Sequence, residues 1–110
     1  MKEVNMANYL LVYYGGKMET DPKKAQESMS AWLDWFKSLG QAVVDGGAPT
    51  QPGKTISSSG IKNSIKGEPI TGYSILKADS MDAVVDMAKK CPQIAAGGQI
   101  AIYSTMPMQM

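Results

Sequence analysis

Two strand–helix–strand units follow one another in this chain, and this repetition constrains its fold more than any other feature of the sequence. Residues 9–44 pass through an apolar run, a stretch with helical periodicity and a second apolar run, and residues 72–103 pass through the same order. A unit of this length is too small to bury a core alone. We therefore predict a single domain over residues 1–110 in which both units share one sheet.

The first unit begins with a strand and continues into a helix. Residues 9–14 are apolar at every position, which is typical of a strand covered on both faces. Asp21 followed by Pro22 predicts a helix start, and Gly40 suits the position just after a helix end near Leu39. One side of this helix, with Trp35 at its edge, carries the apolar residues that we expect to face the core: Ala25, Met29, Trp32, Leu33, Phe36 and Leu39.

The middle of the chain is its least regular part. Residues 41–45 predict a second strand, which the pair Gly46 and Gly47 closes. From residue 48 to residue 69 the chain is rich in proline, glycine and serine. Within that segment, residues 54–57 and 64–66 are candidate edge strands that could pair as a hairpin arm.

The second unit repeats the pattern of the first. Residues 70–77 predict a strand, Asp79 or Ser80 predicts the cap of a second helix, and residues 99–105 predict the last strand. The helix is expected to run to about Cys91, with Met81, Val84, Val85, Ala88 and Cys91 on its buried side.

The predicted order of elements is β-α-β-β-α-β, which is that of a ferredoxin-like fold. Right-handed crossovers then give an antiparallel sheet with both helices on one face. Because the strands are apolar on both sides, the face without helices needs another cover. We expect a second copy of the chain to provide it, so that the protein is a homodimer.

The charged residues argue against several function classes. All 11 basic residues are lysine, and the chain has neither arginine nor histidine. Without arginine there is no bidentate group for phosphate, and the lysines form no basic stripe, so we expect no nucleic-acid partner. Without histidine the chain lacks the usual general base at neutral pH and the commonest transition-metal ligand. We therefore expect no metal and no cofactor.

The N-terminal region and the single cysteine indicate where in the cell the protein is expected. Its apolar run is too short for a signal peptide or a membrane span, and one cysteine cannot form an internal disulfide. These features predict a cytoplasmic protein with no membrane partner. Either Met1 or Met6 could be the start, since Met6 opens directly into the first predicted strand.

The order and spacing of these elements resemble the YCII-related protein family. No single motif is diagnostic, and the resemblance covers nearly the whole chain. It implies a dimeric α+β barrel, in which two ferredoxin-like sheets pack face to face and each subunit has a cleft between the sheet and the first helix. The segments that carry it are YLLVY at residues 9–13, Trp32, GQAVVDGG at residues 40–47, GYSILKADSMDA at residues 72–83, Cys91-Pro92 and Gly97-Gly98.

Two departures from the family pattern argue against family-type catalysis. Some members carry a histidine and an aspartate in the cleft and have been proposed to be enzymes, but this chain has no histidine. Related subgroups carry an Asp-Gly-Pro-Phe motif before the third strand. This chain has Gly67-Glu68-Pro69-Ile70 there, so the acid is shifted and the aromatic residue is lost.

Five residues are the candidates for ligand binding. Asp45, at a strand end beside Gly47, could direct a carboxylate into the cleft, or could only form a turn. Trp32 and Trp35 could wall an aromatic pocket. Alternatively, Trp32 belongs to the core and Trp35 to an interface or a semi-exposed position. Tyr13 could line the pocket or fill space in the dimer barrel, a role that also fits Tyr9, Tyr73 and Tyr103.

Other reactive residues have structural explanations. Cys91 lies on an apolar stripe with no histidine to activate it, so we expect a buried and unreactive thiol. Asp79, Asp82 and Asp86 are explained by helix capping and a solvated helix face rather than by a metal site.

Three functional hypotheses follow. The first is a small homodimer whose cleft binds a small organic molecule. The second is a degenerate lyase or isomerase that uses Asp45 and a tyrosine in place of histidine. The third is a regulatory protein-interaction module without a small ligand. A closed polar pocket favours the first two, and an exposed apolar patch without a pocket favours the third.

Overall fold

A computed structural model describes residues 6–17, 19–62 and 69–107 of the chain. These residues form a four-stranded antiparallel sheet, a separate two-stranded hairpin and three helices. In chain order the elements are β1 (Ala7–Tyr14), α1 (Pro22–Leu39), a 3-10 turn (Gly40–Ala42), β2 (Val43–Pro49), β3 (Thr55–Ser57), β4 (Gly60–Lys62), β5 (Ile70–Ala78), α2 (Met81–Ala88), α3 (Pro92–Ala95) and β6 (Gln99–Ser104).

The main sheet has the strand order β2-β5-β1-β6, and every neighbouring pair is antiparallel. It follows that β1 and β2 run in the same direction with β5 between them, and that β5 and β6 do so with β1 between them. The helix α1 makes the first of these crossovers, and α2 with α3 makes the second. This is the ferredoxin-like α+β fold, and the prediction of fold class is confirmed.

The helices cover one face of the sheet and bury the core beneath them. Leu11 of β1, Leu76 of β5 and Val84 of α2 have no exposed surface. Tyr9 and Tyr13 belong to the same buried cluster. The suggestion that these two tyrosines line a barrel between two copies is therefore wrong, because alternation along β1 places them with Leu11 under the helices.

The helix α1 is rotated relative to the sequence prediction. Trp35, expected at the edge of the apolar stripe, is its one described residue that is fully buried, whereas Trp32 is only half-buried. The indole Nε1 of Trp35 donates a 3.0 Å hydrogen bond to the carbonyl oxygen of Met87 in α2. Met29 and Leu33, predicted to face the core, are 66% and 63% exposed. Too many apolar residues lie around this helix for periodicity alone to identify its buried side.

Three element boundaries also differ from prediction. The strand β2 does not end at Asp45 but continues through the glycine pair to Pro49. The helix α2 ends at Ala88, and Cys91 instead occupies the N-cap position of α3. The hairpin arm pairs β3 with β4, and the candidate strand at residues 64–66 lies outside the described residues.

The second helix begins where the sequence predicts it. Ser80, the second of the two candidate caps, accepts a 3.1 Å hydrogen bond at its Oγ from the backbone N–H of Ala83. This satisfies one of the unpaired N–H groups of the first turn.

None of the described helices lies on the other face of the sheet. Leu10, Ile75 and Tyr103 lie side by side in one cross-strand row on this face, and Val12 lies in the next row. Tyr103 is 54% exposed. No helix within the described residues is long and apolar enough to cross a membrane.

Candidate ligand-binding cleft

A cleft of about 370 Å³ lies between α1 and the sheet, beside β2 and β5. Its size falls in the usual range for small-molecule sites, roughly 300–1,000 Å³. Among the described lining residues there is no Asp, Glu or Lys. These residues are Tyr13, Ala25, Ser28, Met29, Trp32, Phe36, Gly46, Gly47, Ala48, Pro49, Thr71, Gly72, Tyr73 and Gln93.

A β-bulge in β2 shapes one wall of this cleft. Between the pairs Asp45↔Ile75 and Ala48↔Tyr73, β2 contains one residue more than β5. Gly47 within the bulge has a φ of +76°, and a Cβ atom there would overlap the carbonyl oxygen of Tyr73. Both facts require glycine, because the left-handed backbone and the close approach of β5 exclude a side chain.

The bulge places a backbone carbonyl above a buried serine. The Oγ atom of Ser74 donates a 2.7 Å hydrogen bond to the carbonyl oxygen of Gly46. The Oη atom of Tyr13 in turn donates a 2.7 Å hydrogen bond to Ser74 Oγ. Ser74 has no exposed surface, so this chain of hydrogen bonds links β1, β5 and β2 at the base of the cleft.

Burial keeps Tyr13 protonated further into the alkaline range than an ordinary tyrosine. Loss of solvation raises the pKa of its phenol well above the ordinary 10.0, and the nearby Cys91 thiol raises it further, while the hydrogen bond with Ser74 opposes the shift. At neutral pH Tyr13 is therefore an uncharged phenol whose proton is held by Ser74.

Aromatic rings form the helix side of the cleft. The ring centroids of Tyr13 and Trp32 lie 5.1 Å apart in an edge-to-face arrangement, and those of Trp32 and Phe36 lie 6.0 Å apart. Such ring pairs stabilise each other's orientation. The backbone of Gly46 and Gly47 also lines the cleft, and a Cβ atom at Gly46 would lie 3.9 Å from the ring of Phe36, so the glycine pair borders these rings.

Gln93, which sequence reasoning did not identify, closes one end of the cleft. It is 7% exposed. Its Nε2 atom donates hydrogen bonds of 2.8 Å and 3.1 Å to the carbonyl oxygens of Tyr14 and Gly15. These contacts hold α3 against the end of β1. Gln93 follows Cys91-Pro92 in a segment too short for periodicity, so no sequence pattern indicates its position.

The family model of the YCII-related domain matches residues 6–109 of the chain. The chain belongs to the YCII-related domain family. The match spans nearly the whole sequence, and it confirms the family to which the order of elements pointed.

A solved structure supports the same architecture. The chain is similar to 5-chloro-2-hydroxyhydroquinone dehydrochlorinase (TftG) from Burkholderia phenoliruptrix AC1100, in complex with 2,5-dihydroxybenzoquinone. The TM-score is 0.53 and the identity is 17%, over 86% of this chain and 90% of that one. At this identity the similarity establishes the fold alone. No curated protein matches the sequence.

The YCII-related fold brings three of the five candidate residues to the cleft. Tyr13, Trp32 and Gly47 are among its lining residues. Asp45 and Trp35 are not among the described lining residues. Whether any of the five binds a ligand remains a prediction, and three of them lie in the described wall of this cleft.

Asp45 has a local partner instead of a place in the cleft. Its Oδ1 atom accepts a 2.8 Å hydrogen bond from the backbone N–H of Gly47, and the side chain is exposed. This is the geometry in which aspartate stabilises a turn two residues ahead. Its Cα pairs with that of Ile75, on the sheet face opposite the helices, which explains why the carboxylate does not point into the cleft.

Trp35 lies in the core. It is 5% exposed, and its indole hydrogen bond to Met87 joins α1 to α2. Its ring lies 5.8 Å from that of Trp32 and 5.0 Å from that of Phe36. Trp35 thus supports the two rings that face the cleft.

The remaining reactive groups lie apart from the cleft. Cys91 is buried, and loss of solvation raises the pKa of its thiol to about 12. Among the described residues no group of three or more cysteine, aspartate or glutamate side chains could hold a metal ion.

Proposed function

We propose that this YCII-related protein is a homodimer in which each cleft binds a small planar organic molecule. The observation that carries the proposal is the cleft itself, which is lined by the rings of Trp32, Phe36 and Tyr13 and by the backbone of the glycine bulge. A flat ring can lie against these aromatic side chains.

The ligand of the similar dehydrochlorinase gives an indication of ligand size. That protein was solved with 2,5-dihydroxybenzoquinone, a single planar ring. A molecule of this size fits within about 370 Å³. We carry over only the size and planarity of the ligand, and we assign no reaction to this chain.

The dimer is inferred from the sheet face without helices. Leu10 and Ile75 are neighbours there and are only partly buried, and Tyr103, beside Leu10, extends the apolar surface. Exposing such a face as a monomer is unfavourable, and obligate interfaces of this kind bury roughly 2,000 Å² or more in total. We propose that a second copy of the chain covers this face. A cytoplasmic location is proposed on the sequence features alone.

A fragment screen followed by ¹H–¹⁵N correlation spectra tests the ligand proposal. Single-ring compounds should shift the amide signals of Gly46, Gly47 and Gly72 at the cleft. The amides of Gly53 and Gly60 in and near the hairpin arm should stay unchanged and serve as internal controls. If no ring compound shifts the cleft glycines, the proposal is wrong.

A matched pair of variants locates the binding wall. Trp32→Leu should weaken binding of a ring compound by roughly 2- to 10-fold, because it removes the ring-to-ring contact. Leu33→Ala, on the exposed side of the same helix, should leave binding unchanged. Equal effects of the two changes would show that Trp32 does not contact the ligand.

A second candidate function rests on a different surface. Ile56 of β3 and Ile61 of β4 are directly paired across the hairpin arm and are 76% and 65% exposed. Paired isoleucines on a projecting arm are typical of a contact surface for another protein. This supports a protein-interaction role that could accompany ligand binding. The enzyme hypothesis built on Asp45 loses its support, since that carboxylate lies outside the described cleft wall.

A further inference from the structure

The hydrogen bonds at the base of the cleft have a fixed direction. The carbonyl oxygen of Gly46 can only accept, so the hydroxyl of Ser74 must donate to it. With its proton committed, Ser74 Oγ can only accept from Tyr13. The phenol proton of Tyr13 therefore points away from any bound molecule. Its raised pKa keeps that proton in place, and a ligand meets only the lone pairs of the oxygen.

Gln93 is constrained in the same way. Its amide nitrogen faces two carbonyl oxygens, those of Tyr14 and Gly15, and uses both of its protons on them. This identifies the nitrogen without ambiguity, because an amide oxygen in that position could make neither bond. The Oε1 atom accepts no hydrogen bond from the described residues, so it is an acceptor available to a ligand.

The hydroxyl proton of Thr71 is also used within the protein. Its Oγ1 atom donates to the carbonyl oxygen of Gly15 at 3.3 Å. Among the described lining side chains that carry an N–H or O–H group, Tyr13, Thr71 and Gln93 thus commit their protons elsewhere. The hydroxyl of Ser28 and the indole N–H of Trp32, both on α1, can still donate, so the free donors lie on the helix side of the cleft. Tyr73 projects from the opposite face of β5 to Ser74 and lines the cleft with its backbone.

The absence of charged side chains among the described lining residues also limits which ligands can bind. Among the described lining residues there is no lysine to pair with an anion and no carboxylate to pair with a cation. Removing an ionised group from water without a partner is costly, and acceptor oxygens repel an anion further. A carboxylate or phosphate ligand therefore has no favourable place beside Tyr13.

We propose that the cleft selects uncharged aromatic molecules that carry hydrogen-bond donors, namely phenolic hydroxyl or ring-bound amino groups, over ring compounds whose polar groups only accept. This rests on the proposed function and specifies the chemical class of its ligand. The donors of the ligand pair with the oxygen of Tyr13 and with Oε1 of Gln93, while its ring lies against Trp32.

A graded series of ring compounds tests this selectivity on the wild-type protein. Resorcinol, 3-methoxyphenol and 1,3-dimethoxybenzene share one ring and present two, one and no donors. Dissociation constants from amide shifts of Gly46, Gly47 and Gly72 should rise roughly 3- to 10-fold with each donor removed. Methylation makes the ring compounds more apolar, so hydrophobicity alone predicts the opposite order.

The charged member of the series is 3-hydroxybenzoate, compared with 3-methoxyphenol, which also has one donor. We expect the benzoate to bind at least about 10-fold more weakly. If the dimethoxy compound or the benzoate binds as well as resorcinol, the selectivity is wrong while the ligand-binding proposal stands. If no member of the series shifts the cleft glycines, the proposed function fails and the selectivity fails with it.

Ser74→Ala tests the cause of the selectivity. Without Ser74 Oγ, the phenol of Tyr13 is free to turn its proton toward the cleft, so 1,3-dimethoxybenzene should gain affinity relative to resorcinol. Ser38→Ala is the control, since Ser38 Oγ bonds only to the carbonyl of Trp35 in its own helix. Tyr13→Phe is a second variant, used if Ser74→Ala does not fold, and it should reduce the preference for resorcinol. An unchanged preference in whichever variant folds overturns the mechanism.

Discussion

The phenol of Tyr13 donates a 2.7 Å hydrogen bond to the hydroxyl of Ser74, 61 residues later in the chain. Tyr13 lies on β1 and Ser74 on β5, and the carbonyl of Gly46 on β2 accepts the next hydrogen bond. Hydrogen bonds made by side chains thus join three of the four strands of the main sheet, within a core that is mostly apolar. The same contacts determine which atoms face the cleft.

Removing the central hydroxyl should destabilise the fold. Ser74→Ala leaves the phenol of Tyr13 and the carbonyl of Gly46 without their partner in a buried position, which should cost about 1–3 kcal/mol in the free energy of unfolding. Ser38→Ala, on an exposed helix position, should cost less than about 0.5 kcal/mol. Urea unfolding measures both. Equal midpoints for the two variants would show that the buried contacts contribute nothing to stability.

Tyr13 should not ionise with the other tyrosines. Burial raises its pKa well above 10.0, so a spectrophotometric titration should show its phenolate only in strongly alkaline solution. Because the pKa is higher in the folded state, the stabilisation is complete below the unfolded pKa of about 10 and is lost as pH rises above it. Comparison with Tyr13→Phe isolates this group. If the difference spectrum titrates near pH 10, the phenol is not buried as described.

The glycine bulge should not tolerate a side chain. Gly47→Ala forces a positive φ on alanine and sets its Cβ against the carbonyl of Tyr73, so we expect a loss of more than about 2 kcal/mol. Gly53 has open space around its Cβ position and no positive φ, so Gly53→Ala should change stability by less than about 0.5 kcal/mol. Thermal unfolding of the pair gives the result. A fully stable Gly47→Ala would contradict the bulge.

The sheet face without helices should carry the dimer. Ile75→Glu places a charge in the middle of that face, where Ile75 neighbours Leu10, and should convert the dimer to a monomer. Ile56→Glu, on the projecting hairpin arm, should leave the dimer intact. Sedimentation velocity at micromolar concentration distinguishes the two. A monomeric parent protein, or a dimer that survives Ile75→Glu, would refute this interface.

The thiol of Cys91 should be unreactive in the folded protein. Burial raises its pKa to about 12, so almost none is thiolate at neutral pH. Labelling by a thiol-reactive dye should therefore be far slower in native buffer than in denaturant. As with Tyr13, a raised folded pKa means that its contribution to stability is lost as pH rises above about 9. Rapid labelling of the native protein would return Cys91 to the list of possible nucleophiles.

Much of the fold follows from local sequence patterns. The apolar run at β1, the Asp21-Pro22 start of α1 and the cap at Ser80 each appear at the predicted place. These features are local because backbone hydrogen bonding and side-chain alternation repeat every few residues. Two such units in sequence then leave few ways to form one sheet, and the family match agrees with the resulting order.

Part of the candidate site can also be predicted from local sequence patterns. Tyr13, Trp32 and Gly47 were identified from a strand end, a helix face and a glycine pair, and all three line the cleft. A sequence signal for Ser74 also exists, since it is a polar residue at a buried position of an alternating strand, on the same face as Leu76. No local sequence pattern indicates Gln93, because its contacts are with β1, almost 80 residues away.

The sequence by itself determined the order of the four main strands and of α1 and α2, the family and the absence of histidine chemistry, since these depend on residue identity and short-range periodicity. Only the tertiary structure decided which side of α1 is buried, because Trp35, Leu33 and Met29 are all apolar and packing against α2 selects Trp35. It also decided that β2 runs through its glycines. Pairing with β5 resumes at Ala48 after the two glycines, and the resulting bulge brings the carbonyl of Gly46 to the hydroxyl of Ser74.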